Sequence, residues 1–221
     1  MLVSALSAVN YLGLHYRSLE LCKTQTLSGG LDNDRTLSLT SLAQSDLCWV
    51  IENIAHRNGK SFKVPTIDVY VESDASVTGW GALTGSLSAS GRWSQSESEH
   101  HINYLELLAS FHALQCFVSN SKSIHVRLAI YNSTAVACIN NLGGTRSPLL
   151  DSLSRTIWVW CKSRDILITA QHKPGKVNTR ADALSLEISS NLEWSLNDEV
   201  FLKSFLRPLY VRLICLLPGL M

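Results

Sequence analysis

This chain of 221 residues has no closely spaced cysteines. Its six, Cys22, Cys48, Cys116, Cys138, Cys161 and Cys215, form no C-x-x-C pair and no short Cys/His cluster. That excludes the zinc sites built on such spacing, and the thiols are expected to be free and buried, in a reducing compartment. Charge of one sign is not in surplus either: 19 basic against 18 acidic residues leave a formal net charge of +1. Overall charge therefore announces no polyanionic partner, and any contact with nucleic acid must come from a local patch. Long hydrophobic runs are missing too. The start, "MLVSALSAVNYLGLHY", lacks a basic n-region and a cleavage site. The end, "LYVRLICLLPGLM", is too short to span a bilayer and carries Arg212 and Pro218. No membrane segment is expected, which leaves cytoplasm or nucleus. There is no internal repeat and no low-complexity run.

What is present is enough apolar material for a core: 46% of residues are hydrophobic and 17% charged. The length allows one ordinary domain with an appendage, or two small domains. Residues 15–57 read as two helices with apolar residues at three- and four-residue steps, broken by "SGGLDNDRT". Ser38 or Thr40 is placed to cap the second helix. The stretch "HRNGKSFKVP" reads as a polar linker.

From Thr66 the pattern changes. "TIDVYVES" alternates and is rich in β-branched residues, so it reads as a strand. "GWGALTGSLSASGRW" supplies one or two more, joined by a Gly/Ser turn. Then follow a helix over "NYLELLASFHALQCFV", a strand in "IHVRLAIY", a short helix in "STAVACINN", a longer one from Pro148, a strand in "DILITAQH", and a basic loop running into a last helix. The order β-β-β-α-β-α-α-β-α predicts an α/β fold, a mixed sheet with helices on its faces.

Three carboxylates stand where the elements of one sheet domain can meet. Asp74 ends the first strand. Glu106 lies in the first long helix beside the small residues Ala109, Ser110 and Ala113. Asp182 opens the last helix. Phosphodiester hydrolysis by two divalent ions needs converging carboxylates of this kind. Taken singly, a strand-end Asp is commonly a turn or cap residue and a helix Glu is commonly solvated.

Four segments together, "SDASVTGWGALTGS", "INYLELLASFHAL", "YNSTAVACINNLGGTRSP" and "AQHKPGKVNTRADALS", resemble in order and spacing the ribonuclease H domain of DIRS-like retroelement reverse transcriptases. The resemblance runs from about Thr66 to Leu186. Upstream, residues 1–60 are similar to the helical segment connecting polymerase and ribonuclease H; residues 66–187 are the RNase H-like part, and 188–221 a C-terminal tail. The resemblance implies an RNase H-like fold, a five-stranded mixed sheet flanked by helices with an N-terminal helical extension. It implies hydrolysis of the RNA strand of RNA–DNA hybrids with Mg2+ or Mn2+, and descent from a polyprotein that also carried a polymerase domain. No paired-aspartate polymerase motif is present in this chain.

By the same resemblance Asp74 bridges both metals, Glu106 holds one and Asp182 the other. The family carries a further Asp immediately before the Asn-Ser-Thr of "NSTAVA"; here that position is Tyr131. A phenol ionises near ~10 and is a poor magnesium ligand. Losing one anionic ligand of a two-metal site costs on the order of a thousandfold or more in rate. The expectation is an impaired nuclease, and the alternative is a catalytically dead nucleic-acid-binding or structural remnant. Another RNase H-like nuclease, such as an integrase, fits the helical preface and the tail less well. A second departure, Leu186 in place of the usual Arg, is peripheral.

For binding, the loop "HKPGKVNTR" offers Lys173, Lys176 and Arg180 as a phosphate clamp, or merely as a solvated basic loop. Gly143 and Gly144 bring backbone near a ligand or simply end a helix. Of Trp158 and Trp160, one is expected in the core and one at the surface. "SESEHH" (96–101) reads as a solvated loop rather than a metal site.

Overall fold

The computed structural model describes residues 2–27, 36–59, 65–144, 147–173 and 194–196. In chain order the elements are α1 (Leu2–Ala5), α2 (Leu12–Leu27), α3 (Ser41–Asn53), β1 (Val69–Ala75), β2 (Gly79–Thr84), β3 (Leu87–Arg92), α4 (Gln95–Ser98), α5 (Ile102–Val118), β4 (His125–Ile130), α6 (Ser133–Asn140), α7 (Pro148–Lys162), β5 (Leu167–His172) and β6 (Trp194–Leu196). The chain divides into two compact units, Met1–Pro65 with Ala137–Trp158, and Thr66–Val136 with Val159–Met221.

In the first unit, Thr40 rather than Ser38 caps α3: its hydroxyl accepts the Ala43 amide at 3.3 Å. Val9, Leu12 and Val50 form an apolar centre with Leu6, Trp49 and Ile54 against it. The expected linker is partly structured. Asn10 donates to the Arg57 carbonyl and Gly59 to that of Ala8, which closes the stretch after α3 back onto the chain start. Asp46, 1% exposed, is the polar centre. It accepts from Ser18 Oγ (2.6 Å), His15 Nδ1 (2.8 Å) and both terminal nitrogens of Arg155 on α7 (2.5 and 3.1 Å). Burial pushes this carboxyl up, and the hydrogen bonds from His15, Arg155 and Ser18 more than reverse that, so it sits below the usual carboxylate range. The glycine stretch ends a helix here. Leu142 takes φ +58, Gly143 donates back to Cys138 and Leu142 to Ile139, closing α6 as a Schellman turn. Trp158 is the core tryptophan and donates to the Ile139 carbonyl.

The second unit carries the sheet, in the order β5-β4-β1-β2-β3-β6. β1 runs antiparallel to β2 and parallel to β4; β2–β3 and β3–β6 are antiparallel, and β4–β5 parallel. β4 lies inside the sheet, and Val126, Leu128, Ala129 and Ile130 are all fully buried, as a central parallel strand requires. A two-residue Gly85-Ser86 turn joins β2 and β3, with Gly85 at φ +57 in the first position, where only glycine is unstrained. Beyond the five expected strands, residues 194–196 of the tail pair with Ala89–Gly91 as a short sixth.

One sequence expectation is corrected. The "SESEHH" stretch is not all loop. Ser94 and Glu97 make a reciprocal capping box that starts the single turn of α4, a signal readable as S-x-x-E. α5 packs on β1 and β2 and is buried over Leu105–Ser110 and at Ala113, Leu114 and Val118, while Tyr104, Phe111 and Phe117 are half-buried. Small side chains at 109, 110 and 113 let the helix approach the sheet closely.

Of the cysteines, Cys22, Cys138 and Cys161 are free and buried; Cys48 is exposed and Cys116 half-buried. Among the described residues no helix is long and apolar enough to cross a membrane.

Candidate active site

β1 positions Asp74. Its neighbour Ser73 faces α5 and its hydroxyl lies 2.9 Å from that of Ser110, which in turn donates to the Glu106 carbonyl at 3.1 Å. This seam of two serines sets the height of α5 on the strand, and Glu106 sits one turn before Ser110. Both carboxylates are buried, Asp74 at 8% and Glu106 at 6% exposure.

The two are close enough to interact. Burial first, and the Asp74 charge second, push the Glu106 carboxyl up to about 8. Its Oε2 is buried and has no hydrogen-bond partner among the described residues. A buried carboxylate oxygen left unbonded beside a second carboxylate is costly unless a proton or a cation takes it. Two carboxylates suit a hard divalent ion, which magnesium sites commonly hold by one or two protein carboxylates together with water and substrate phosphate. Among the described residues no group of three or more His, Cys, Asp or Glu side chains gathers for a metal.

Tyr131 follows β4 directly. Ser73 pairs with Ile130 in the parallel ladder, so Asp74 and Tyr131 are the next residues on adjacent strands. The Tyr131 side chain is half-buried and its hydroxyl fully so. Asn132 does not serve as a free carbonyl ligand. Its Oδ1 accepts the Ala135 amide at 3.0 Å, capping α6, and its Nδ2 donates to Asn103 Oδ1 at 2.7 Å. Sequence reasoning passed over Asn103; its place three residues before Glu106 was the available signal.

Lys173 lies just past β5. Its amide donates to Ile130 O and its ammonium is 2.6 Å from Glu72 Oε2, an ion pair with both side chains 22% exposed. Glu72 is two residues before Asp74 and was not singled out in the sequence. Lys176, Arg180 and Asp182 lie outside the described residues, as do the last helix and Leu186. His172 is exposed at the end of β5. Trp160 is half-buried, edge-on to Phe111 and under the Arg164 guanidinium at 4.1 Å, which accounts for it as packing.

Three antiparallel strands are followed by two parallel ones, in the spatial order 3-2-1-4-5 with helices alongside. The chain has the expected α/β fold, a five-stranded mixed sheet extended by β6 with helices alongside. No family model matches it, and no curated protein does. Solved structures similar to it include LC11-RNase H1, from compost, in complex with an RNA/DNA hybrid (20% identity, TM-score 0.43, covering 52% of this chain and 91% of that one). RNase H1 from the halophilic archaeon Halobacterium salinarum NRC-1 is another (20%, 0.43, covering 53% and 96%). The foamy viral protease-reverse transcriptase in complex with an RNA/DNA hybrid is a third (16%, 0.39); 67% of this chain matches 26% of that one.

Proposed function

We propose that this chain is the ribonuclease H part of a DIRS-like retroelement reverse transcriptase, built to hydrolyse the RNA strand of RNA–DNA hybrids and impaired at Tyr131. The observation that carries the reading is the buried Asp74–Glu106 pair with an unbonded Glu106 oxygen at the tip of β1. Divalent metal, Mg2+ or Mn2+, when bound supplies Lewis-acid activation of water and stabilisation of the leaving oxygen. Asp74 and Glu106 are the residues that would hold it, with Asp182 proposed as the third. To do so Glu106 must give up the proton that burial and Asp74 favour.

Tyr131 brings a neutral phenol to the strand tip beside Asp74, where the resemblance to the retroelement family implies an Asp. Its buried hydroxyl takes space and adds no anionic oxygen. That same observation favours a second reading, a catalytically dead nucleic-acid-binding or structural remnant. Hybrid binding rests on the basic loop, with Lys176 and Arg180 as phosphate contacts and Lys173 shared with Glu72. The helical segment 1–60 is read as the former connection to a polymerase domain, and the compartment as cytoplasm or nucleus.

The test is cleavage of a labelled RNA–DNA hybrid in Mg2+, with binding of the same hybrid measured in parallel. The unaltered chain should bind and cleave poorly. Tyr131→Asp should raise cleavage by orders of magnitude at little change in affinity, and Asp74→Asn should abolish the gain. Robust cleavage by the unaltered chain would refute the impairment. No gain on Tyr131→Asp would favour the remnant.

A further inference from the structure

The hydrogen bond between Asn132 and Asn103 links the two segments that carry the site. Asn132 stands next to Tyr131 at the tip of β4, and Asn103 is one helical turn before Glu106 on α5. The orientation of both amides is determined. Asn132 Oδ1 is taken by the Ala135 amide at 3.0 Å, so its Nδ2 must face away from α6. It donates to Asn103 Oδ1 at 2.7 Å, so Asn103 presents its oxygen. At the start of α5 the His101 side chain caps locally, its Nδ1 accepting the Asn103 amide at 3.1 Å. The Ser73–Ser110 contact anchors the helix one turn beyond Glu106. Glu106 therefore sits between two tethers, one to β1 and one to the β4 tip.

We propose that Asn132 and Asn103 are positioning residues: their bridge holds the first turn of α5 against the β4 tip and so fixes Glu106 beside Asp74, the pair that would hold a divalent cation. This rests on the cation reading given above. Partners that hold a ligand in place, without touching the ion, commonly carry tenfold or more of its affinity.

The alternative role, capping α6 alone, is separable by substitution. Asn132→Ser keeps a cap for Ala135 but is too short to reach Asn103. Asn103→Ala removes the acceptor and leaves the cap untouched. The readouts are Mn2+ affinity of the full chain by electron paramagnetic resonance and amide exchange over residues 102–106 and 135–137 without metal. Each variant should weaken Mn2+ on the order of tenfold and speed exchange in the first turn of α5, while 135–137 stays protected. The double variant should be no weaker than either single one. Mn2+ binding that both variants leave unchanged overturns the positioning role alone. Mn2+ binding to the unaltered chain that Asp74→Asn does not reduce, or no binding at all, takes down the cation reading and this one with it. Unchanged exchange over 102–106 would likewise overturn the bridge.

Discussion

Asp74 and Tyr131 each stand one residue beyond Ser73 and Ile130, the last parallel pair of β1 and β4. The ladder thus sets the two strand tips side by side, and α5 adds Glu106 from above β1. A phenol stands at one tip and a carboxyl at the other, and burial together with the Asp74 charge pushes the nearby Glu106 carboxyl up to about 8.

Glu106→Gln should stabilise the metal-free chain at alkaline pH. The folded Glu106 carboxyl is pushed up to about 8, from an ordinary 4.5, so between those values the folded chain keeps a proton that the unfolded chain has released. Its contribution is full below the lower value and is lost as pH rises through the upper one. Urea midpoints should favour the variant by about 1–3 kcal/mol near pH 8 and show little difference near pH 4. A variant no more stable than the parent at the higher pH would contradict the burial of this charge.

Asp46→Ala should be among the most damaging single changes. It leaves Arg155 partly buried without its partner and strips the acceptor from Ser18 and His15. Breaking such a pair costs about 3–5 kcal/mol. Limited proteolysis should then cut within α2 and α3 more readily than in the parent. Cutting between residues 60 and 64 in both proteins with no new sites in the variant would count against the cluster as a clasp.

Gly91→Ala should cost about 1–3 kcal/mol through overpacking. A Cβ at Gly91 would lie 2.7 Å from Nε1 of Trp80, its cross-strand partner, which is fully buried. Thermal melts would show it, and a melt equal to the parent's would mean that the indole can shift.

Lys176→Ala and Arg180→Ala should each weaken hybrid binding and reduce the salt slope of log affinity by about one. Lys173→Ala should do less to affinity, because its ammonium is already engaged by Glu72. Affinities taken across a salt series decide it. A larger loss at Lys173 than at the other two would show that the ion pair opens to phosphate.

Much of the frame was legible in the chain. Alternation over "TIDVYVES" and the Gly-Ser turn foretold β1 to β3, since side-chain period and turn chemistry are local properties. Pro148 at the first position of α7 was similarly readable. The depth of α5 was not. All of Leu105–Ser110 is buried, Glu106 included, so the helix is covered on more than one side, and that cover comes from elements distant in the chain.

Local patterning, then, determined which residues are strands, helices and turns, and it placed Asp74, Glu106 and Tyr131 at element ends or on a helix, because those features depend on neighbours a few residues away. Only the tertiary structure decided that Ser73 meets Ser110, that Asn132 reaches Asn103 across 29 positions, and that Lys173 is held by Glu72 across 101. Such pairings follow from strand register and helix height, which many distant contacts settle together, and that collective choice fixes how near two carboxylates stand.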